Sequence, residues 1–232
     1  MAKKTITFST GAGMSAESGI STFRDAGGLW EQYPVMQVAS HDGWLRNPAL
    51  IHKFYNERRH QLVKALHNAG HRLIHDLEKD FNVNVITQNV DDLHERAGSS
   101  NVLHLHGELM KVRATDDEDL VFTLPGDNGG SLDTTTDTLI QGHHVRPHIV
   151  FFQEAVPNIE PAIDLVQNTD IFVVIGTSLA VYPAASLLNF VRAGVPVYYI
   201  DPHPAAVPGY VNVIAKGASE GMAELSRLLR NQ

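Results

Sequence analysis

The chain contains no cysteine among its 232 residues. That excludes disulfides, thiolate metal sites and thiol catalysis together. Positive charge is also scarce: 18 Lys and Arg stand against 26 Asp and Glu, for a net charge of −8. A surface of that sign argues against nucleic acid or an anionic membrane as a partner. No apolar run approaches the roughly 20 residues needed to span a bilayer. The opening Met1, Ala2, Lys3 and Lys4 lead into a strand pattern rather than an apolar signal core. The expectation is a cytoplasmic protein with no membrane or nucleic-acid partner. Apolar residues still make up 43%. That suffices for the core of one domain, or of one large and one small lobe.

What is present is organised around residues 11–25. They follow a β-branched run, Thr5, Ile6, Thr7, Phe8, Ser9 and Thr10, and read as strand, glycine turn and helix start. Gly11 and Gly13 admit backbone angles closed to other residues. Ser15 is expected to cap the helix that follows, and such a helix start seats anions. Ala16 stands where the usual Gly-x-Gly-x-x-Gly has its third glycine. On these residues alone, a tight turn and a diphosphate seat are equal readings. Gly27, Gly28, Leu29 and Trp30 then suggest a closing loop, or a surface loop whose Trp30 plugs the core.

A helical pattern covers about 47–69, with Leu50, Phe54, Leu62 and Leu66 at helical spacing and Pro48 suited to its start. Tyr55 and Arg58 lie three apart on one face. A second helix follows at 71–79. A strand at 81–86 delivers Gln88, Asn89 and Asp91 at its C-terminal end, where open α/β sheets bind ligands. Alternation over 102–106 puts His104 and His106 on one face, and a histidine beside the strand-ending Gly107 is the natural general base at neutral pH. Residues 111–145 are poor in apolar groups and read as a loop-rich insertion with two or three short strands.

An apolar strand returns over 146–154, and a helix over 161–168. The near-continuous apolar run 170–175 fits a strand buried on both faces. It ends in Gly176, Thr177 and Ser178. A helix opening near Tyr182, a strand over 195–200 ending in Asp201 and a helix over 220–229 complete the chain. The alternation predicts an α/β fold with a doubly wound, Rossmann-like parallel sheet. The large lobe is expected over 1–25, 66–110 and 146–232, and a small second lobe, a helical module plus the insertion, over 26–65 and 111–145.

Taken together and in this order, these turns resemble the sirtuins, the NAD-dependent protein deacylases. The matching residues are Gly11, Ala12, Gly13 and Ser15; Gly19, Ile20, Phe23 and Arg24; Thr87, Gln88, Asn89 and Asp91; His106 and Gly107; and Gly176, Thr177 and Ser178. The resemblance implies NAD as cofactor and acyl-lysine proteins or peptides as substrates; separately, the chain is expected to be a monomer. It implies that Gly11, Ala12 and Gly13, with Gly176, Thr177 and Ser178, hold the diphosphate and riboses. Phe23 and Arg24 would border the nicotinamide ribose, Asn89 and Asp91 the nicotinamide pocket, and Gln88 the ribose. Asp201 would meet the adenine-side ribose and Ala218 the adenine. Asn89 and His106 would be catalytic, with His106 deprotonating the ribose hydroxyl that captures the acyl group. Val150, Phe151, Phe152, Gln153 and Glu154 would pair with the substrate backbone as an added strand.

The run 22–30 resembles the bacterial and mitochondrial branch that removes acidic acyl groups. That branch carries a Tyr-x-x-Arg pair, matched here by Tyr55 and Arg58, with Ala26 leaving room for a longer acyl chain. Arg58 and Tyr55 would grip a succinyl carboxylate. The chain departs from the family in two places. The four zinc cysteines are absent, and Ala114 stands where the first is expected, so no metal is expected. The insertion must then be held by Leu120, Val121, Phe122, Leu139 and Ile140. Gln153 replaces the usual glycine before Glu154. Two other readings remain: a mono-ADP-ribosyltransferase or NAD glycohydrolase on the same fold, and a non-catalytic NAD-binding module.

Overall fold

A computed structural model of the chain describes residues 2–20 and 33–230. Phe23, Arg24, Ala26 and the 27–30 loop, to which the sequence assigns a flap and an acyl-size role, lie outside the described residues.

Six parallel strands form the large sheet: β1 (Thr5–Thr10), β2 (Asn82–Thr87), β3 (Val102–His104), β8 (Ile171–Ile175), β9 (Val197–Ile200) and β10 (Val211–Ile214). Their order is β10-β9-β8-β1-β2-β3. The order reverses between β1 and β8, where a doubly wound sheet opens a crevice at its C-terminal edge. Burial on both faces explains the unbroken apolar run of β8. Ile171, Val173 and Ile175 pack into one cluster with Ile6 and Phe8, beneath helices α5 (Ala69–Asp76) and α8 (Ala218–Arg230). Phe172 and Val174 pack into the other, beneath α7 (Ile159–Gln167) and the 3-10 turn Ala184–Phe190. The region expected to open a helix at Tyr182 thus contains this 3-10 turn instead, and β10 has no counterpart in the sequence reading.

A second, antiparallel sheet has the order β5-β4-β7-β6, from β4 (Gly107–Ala114), β5 (Val121–Thr123), β6 (Leu139–Ile140) and β7 (His143–Ile149). It draws on residues on both sides of the expected boundaries at 110/111 and 145/146. The expected strand over 146–154 divides accordingly. Its first part belongs to the small sheet, and the rest is irregular chain with a bridge between Phe152 and Ser40. The crossing from the large sheet into β4 is made at Gly107, whose φ is +83°. A Cβ there would collide with the His148 carbonyl oxygen, so the residue after His106 has to be glycine. The return crossing is tied down by Val150 N–H donating to the His106 carbonyl at 3.0 Å.

The helical module comprises α2 (Val35–Val38), α3 (His41–Arg46) and α4 (Pro48–Leu62), with Asn47 accepting from Leu50 N–H to cap α4. Helix α4 buries Ile51, Phe54, Tyr55 and Leu62 against Leu93, Leu109, Ile149 and Phe151. Leu66, expected in that face, is 73% exposed and lies past the helix end.

Candidate active site

Two turns interlock at the crevice. Gly11 N–H donates to Ile175 O at 2.9 Å, and Gly13 N–H to Gly176 O at 2.8 Å. A Cβ on Gly13 would stand 2.7 Å from Gly176 Cα, and one on Gly176, at φ +60°, would meet Met14 N. The glycines are therefore demanded by the meeting of two strand-end turns. A Gly13→Ala variant meets backbone that has no rotamer to yield. It should lose about 1–3 kcal/mol of stability, a fall in Tm on the order of 3–10 °C, measurable by thermal unfolding.

Helix α1 (Gly13–Ala16) begins directly at that turn, with Ala12 as its N-cap and no side-chain capping bond. Ser15 does not cap it as expected. It lies inside the helix and its hydroxyl donates to Asp91 Oδ2 at 2.9 Å. The Asn89 amide donates to Gly11 O at 3.0 Å and to Ser15 Oγ at 3.1 Å. Asn89 and Asp91 are thereby fixed from the far side of the crevice, across more than 70 residues of sequence. Leu93 N–H donates to the other Asp91 oxygen, at 3.2 Å. Burial pushes the Asp91 carboxyl up, opposed by the bonds from Ser15 and Leu93. Gln88 donates to Thr177 Oγ1 at 3.3 Å, so the turns after β2 and β8 are joined as well.

Ala12, Ser15, Gln88, Asn89, Val90 and Asp91 line a cavity of about 50 Å³ with Ile20, Arg58, Gln61, Leu62 and Leu109. Arg58 is half-buried, its guanidinium carbon 5.6 Å from the centre of the Phe54 ring and 5.7 Å from that of Tyr55. Tyr55 does not line the cavity. It is 1% exposed, packed edge-on to Phe54 at 5.1 Å and tilted against Phe151 at 6.0 Å. Burial pushes its phenol up to about 12, so the hydroxyl stays protonated.

His106 lies beside the same turn. Its Nδ1 is 3.0 Å from the Gln88 carbonyl oxygen. A carbonyl only accepts, so Nδ1 carries the proton and Nε2 presents the basic lone pair. Burial lowers its pKa, against the Gln88 bond, which raises it. The ring is neutral at pH 7, as a general base must be. His104 does not share a strand face with it, because β3 stops at His104.

With this geometry in hand, comparison with known proteins is decisive. The family model described as "Sir2 family" matches residues 11–183. This chain belongs to the Sir2 family. An NAD-dependent protein deacylase of Bacteroides thetaiotaomicron is 53% identical over 97% of this chain and 98% of its own length. Among solved structures, a mutant Sir2 homologue in complex with ADP-ribose superposes with a TM-score of 0.87, at 36% identity, over 99% of this chain and 93% of that one. A Sir2 homologue in complex with NAD gives 0.84, at 36% identity, over 99% and 90%.

Against the expectations for a sirtuin, the remaining residues divide. Thr177 is buried, and its carbonyl accepts from Tyr199 Oη at 2.8 Å. Ser178 is exposed next to it. Asp201 follows β9, but one of its oxygens is spent on His203 N–H at 2.8 Å. Ala218 is 3% exposed and packed into the sheet core, so its side chain does not face a ligand.

The 150–154 segment differs more from the expected added strand. Val150 N–H is taken by His106 O, Phe152 N–H by Ala39 O, and Phe152 O accepts from His41 N–H. Phe151 N–H donates to Glu154 Oε2 at 2.9 Å. Glu154 is also clamped by Arg146 at 2.7 and 3.1 Å, and its side chain is structural. Glu154 N–H donates to Phe151 O at 3.0 Å, so among the described residues Gln153 keeps both main-chain groups for a peptide, while Val150 and Glu154 keep only their carbonyls. Gln153 holds φ +77° in place of the usual glycine. Its side-chain amide exchanges bonds with Asp42, accepting from Asp42 N–H at 3.1 Å and donating to Asp42 Oδ2 at 2.9 Å. The amide therefore lies on helix α3.

In the insertion, Val112, Ala114, Phe122, Leu124, Ile140 and Val145 form the apolar cluster, with Leu120 packed against it. Ala114, at the position of the missing cysteine, is 1% exposed inside that cluster. Val121 and Leu139, expected in it, are 37% and 56% exposed. A signal the sequence reading missed is Arg59. It is fully buried, donating to Leu109 O at 2.8 Å and to Asn56 Oδ1 at 2.7 Å, while Asn56 bonds both main-chain groups of Thr134. These bonds fasten the insertion to α4. Among the described residues no group of three His, Cys, Asp or Glu is placed to hold a metal ion. No helix among them is long and apolar enough to cross a membrane.

Proposed function

We propose that the chain is an NAD-dependent protein lysine deacylase that accepts acetyl and short acidic acyl groups. The observation that carries this reading is the convergence of Asn89, Asp91 and Arg58 on one cavity at the sheet's switch point, with His106 held beside it by Gln88. The polar atoms left open suit NAD: the Asn89 amide oxygen, the second amide N–H of Gln88 and the Thr177 hydroxyl hydrogen match ribose hydroxyls and a carboxamide, while Ser15 and the Asn89 N–H groups are committed to holding the turns together. When bound, NAD supplies the ribose carbon that accepts the acyl oxygen and the ADP-ribose that carries the acyl group away.

In this reading the chain's own residues have separate tasks. Asn89 and Asp91 shape the nicotinamide pocket, Asn89 with its amide pre-oriented by Gly11 and Ser15. The interlocked turns at Gly11–Gly13 and 176–178 seat the diphosphate side. His106 Nε2 takes the proton from the ribose hydroxyl. Arg58 is the acid-acyl anchor, with Tyr55 serving as the wall that positions it. The acyl-lysine peptide pairs with the main chain at Gln153 and Glu154. The same reading takes the chain as a cytoplasmic monomer.

The test is incubation with NAD and matched acetyl-lysine and succinyl-lysine peptides, following nicotinamide and acyl-ADP-ribose together. Equal release of both products supports the deacylase. Nicotinamide release without peptide deacylation moves the function to an NAD glycohydrolase or ADP-ribosyltransferase, and absence of both leaves a binding module.

A further inference from the structure

His104 has no part in the tasks above, yet it is 8% exposed beside the site and both its ring nitrogens are engaged. Nδ1 lies 3.0 Å from the Asn89 carbonyl oxygen and Nε2 lies 2.8 Å from Glu95 Oε1. Both partners are acceptors. A neutral imidazole has one N–H and would face one of these oxygens with a lone pair, so only the imidazolium satisfies both. Glu95 sits on the short helix α6 (Leu93–Arg96), which begins just after Asp91. The His104 ring therefore bridges the main chain of the Gln88–Asp91 turn to the helix that ends it. His106, two residues on, takes the preceding carbonyl, that of Gln88. Two histidines thus hold two successive carbonyls of the turn that carries the Asn89 amide.

We propose that His104 is a positioning residue which, as an imidazolium, pins the Asn89 main chain to helix α6 and so fixes the reach of the Asn89 amide into the cavity. The activity readout of this proposal rests on the deacylase reading; its geometry does not. The groups facing His104 are Glu95 and His94 on α6, Glu108 on β4 and Asp91 in the turn. Burial lowers the His104 pKa, but the bond and charge of Glu95, with Glu108, outweigh it, and the net shift is upward. The sign follows. A raised folded value means the clamp is complete below the ordinary 6.5 and is lost as pH rises through the raised value. An alkaline limb in activity is expected, separate from the acid limb of His106.

The experiment is a histidine ring NMR titration of the intact protein, wild type and Glu95→Gln, read together with nicotinamide release against pH. In wild type, His104 should titrate above 6.5, and the Asn89 side-chain amide should shift with the same midpoint. Glu95→Gln keeps an acceptor but removes the charge. It should lower the His104 midpoint and move the alkaline limb down with it. A His104 midpoint at or below 6.5, or an Asn89 amide blind to that titration, overturns the proposal. So does a midpoint unmoved in a Glu95→Gln protein whose Tm is unchanged. A wild type inert toward NAD would fail the deacylase reading, while the two resonances still decide the clamp.

Discussion

Replacement of His106 by Gln is expected to lower acyl transfer by about 10²- to 10⁴-fold, the range contributed by a positioned general base, while the protein remains folded. The size follows from the tautomer. The Gln88 carbonyl fixes the proton on Nδ1 at 3.0 Å, so Nε2 is a lone pair without a partner among the described residues. Glutamine can keep the bond to Gln88 through its amide but offers no base. The pH dependence carries the same assignment. Burial lowers the His106 pKa, and a base is active when neutral. The acid limb of kcat should therefore fall below 6.5 and should vanish from the residual activity of the variant. Nicotinamide exchange, which precedes the proton transfer, should lose far less than acyl transfer. Equal losses in the two half-reactions, or a variant within threefold of wild type, would remove His106 from the base role.

How much of this site was legible in the sequence depends on whether the reason for a residue is local. Strand β8 was legible because burial on both faces writes an unbroken apolar run. The turns after β1, β2 and β8 were legible because small and polar residues interrupt such runs at the sheet's edge. The reason for the glycines was not. It lies in the approach of Gly13 to Gly176 across the crevice, and no spacing reveals which residue a missing Cβ would strike. Ser15 looked like a helix cap because its partner Asp91 is 76 positions away. The run 146–154 read as one strand because apolar residues are equally needed in an antiparallel strand and in irregular chain packed on a helix. Phe151 is 1% exposed without belonging to any strand. The adjacent Arg58 and Arg59 show the limit most plainly. Helical spacing turns them 100° apart, but which one meets the core and which one the cavity was settled by the Leu109 carbonyl waiting for Arg59.

That division of labour governs what Arg58→Ala should do. The expected outcome is a fall in kcat/KM for a succinyl-lysine peptide of about 10- to 100-fold, corresponding to loss of one or two charge-assisted hydrogen bonds. The acetyl-lysine value should stay within about threefold. Arg58 lines the cavity together with Asn89 and Asp91, so an acyl chain entering from the lysine side would carry a terminal carboxylate toward it. Its aromatic neighbours Phe54 and Tyr55 restrict the guanidinium on the helix side. Tyr55, with its ring buried, is expected to act through that restriction, so Tyr55→Phe should cost less than Arg58→Ala. Arg58→Lys keeps the charge but not the planar fork, and should fall between wild type and alanine for succinyl alone. Acetyl and succinyl losses of equal size would place Arg58 outside the acyl pocket. A general loss with a lowered Tm would instead assign it to packing, as is expected for Arg59. That residue is fully buried and fastened to Leu109 and Asn56, so its truncation should lower stability while leaving the acetyl-to-succinyl ratio of the folded fraction unchanged.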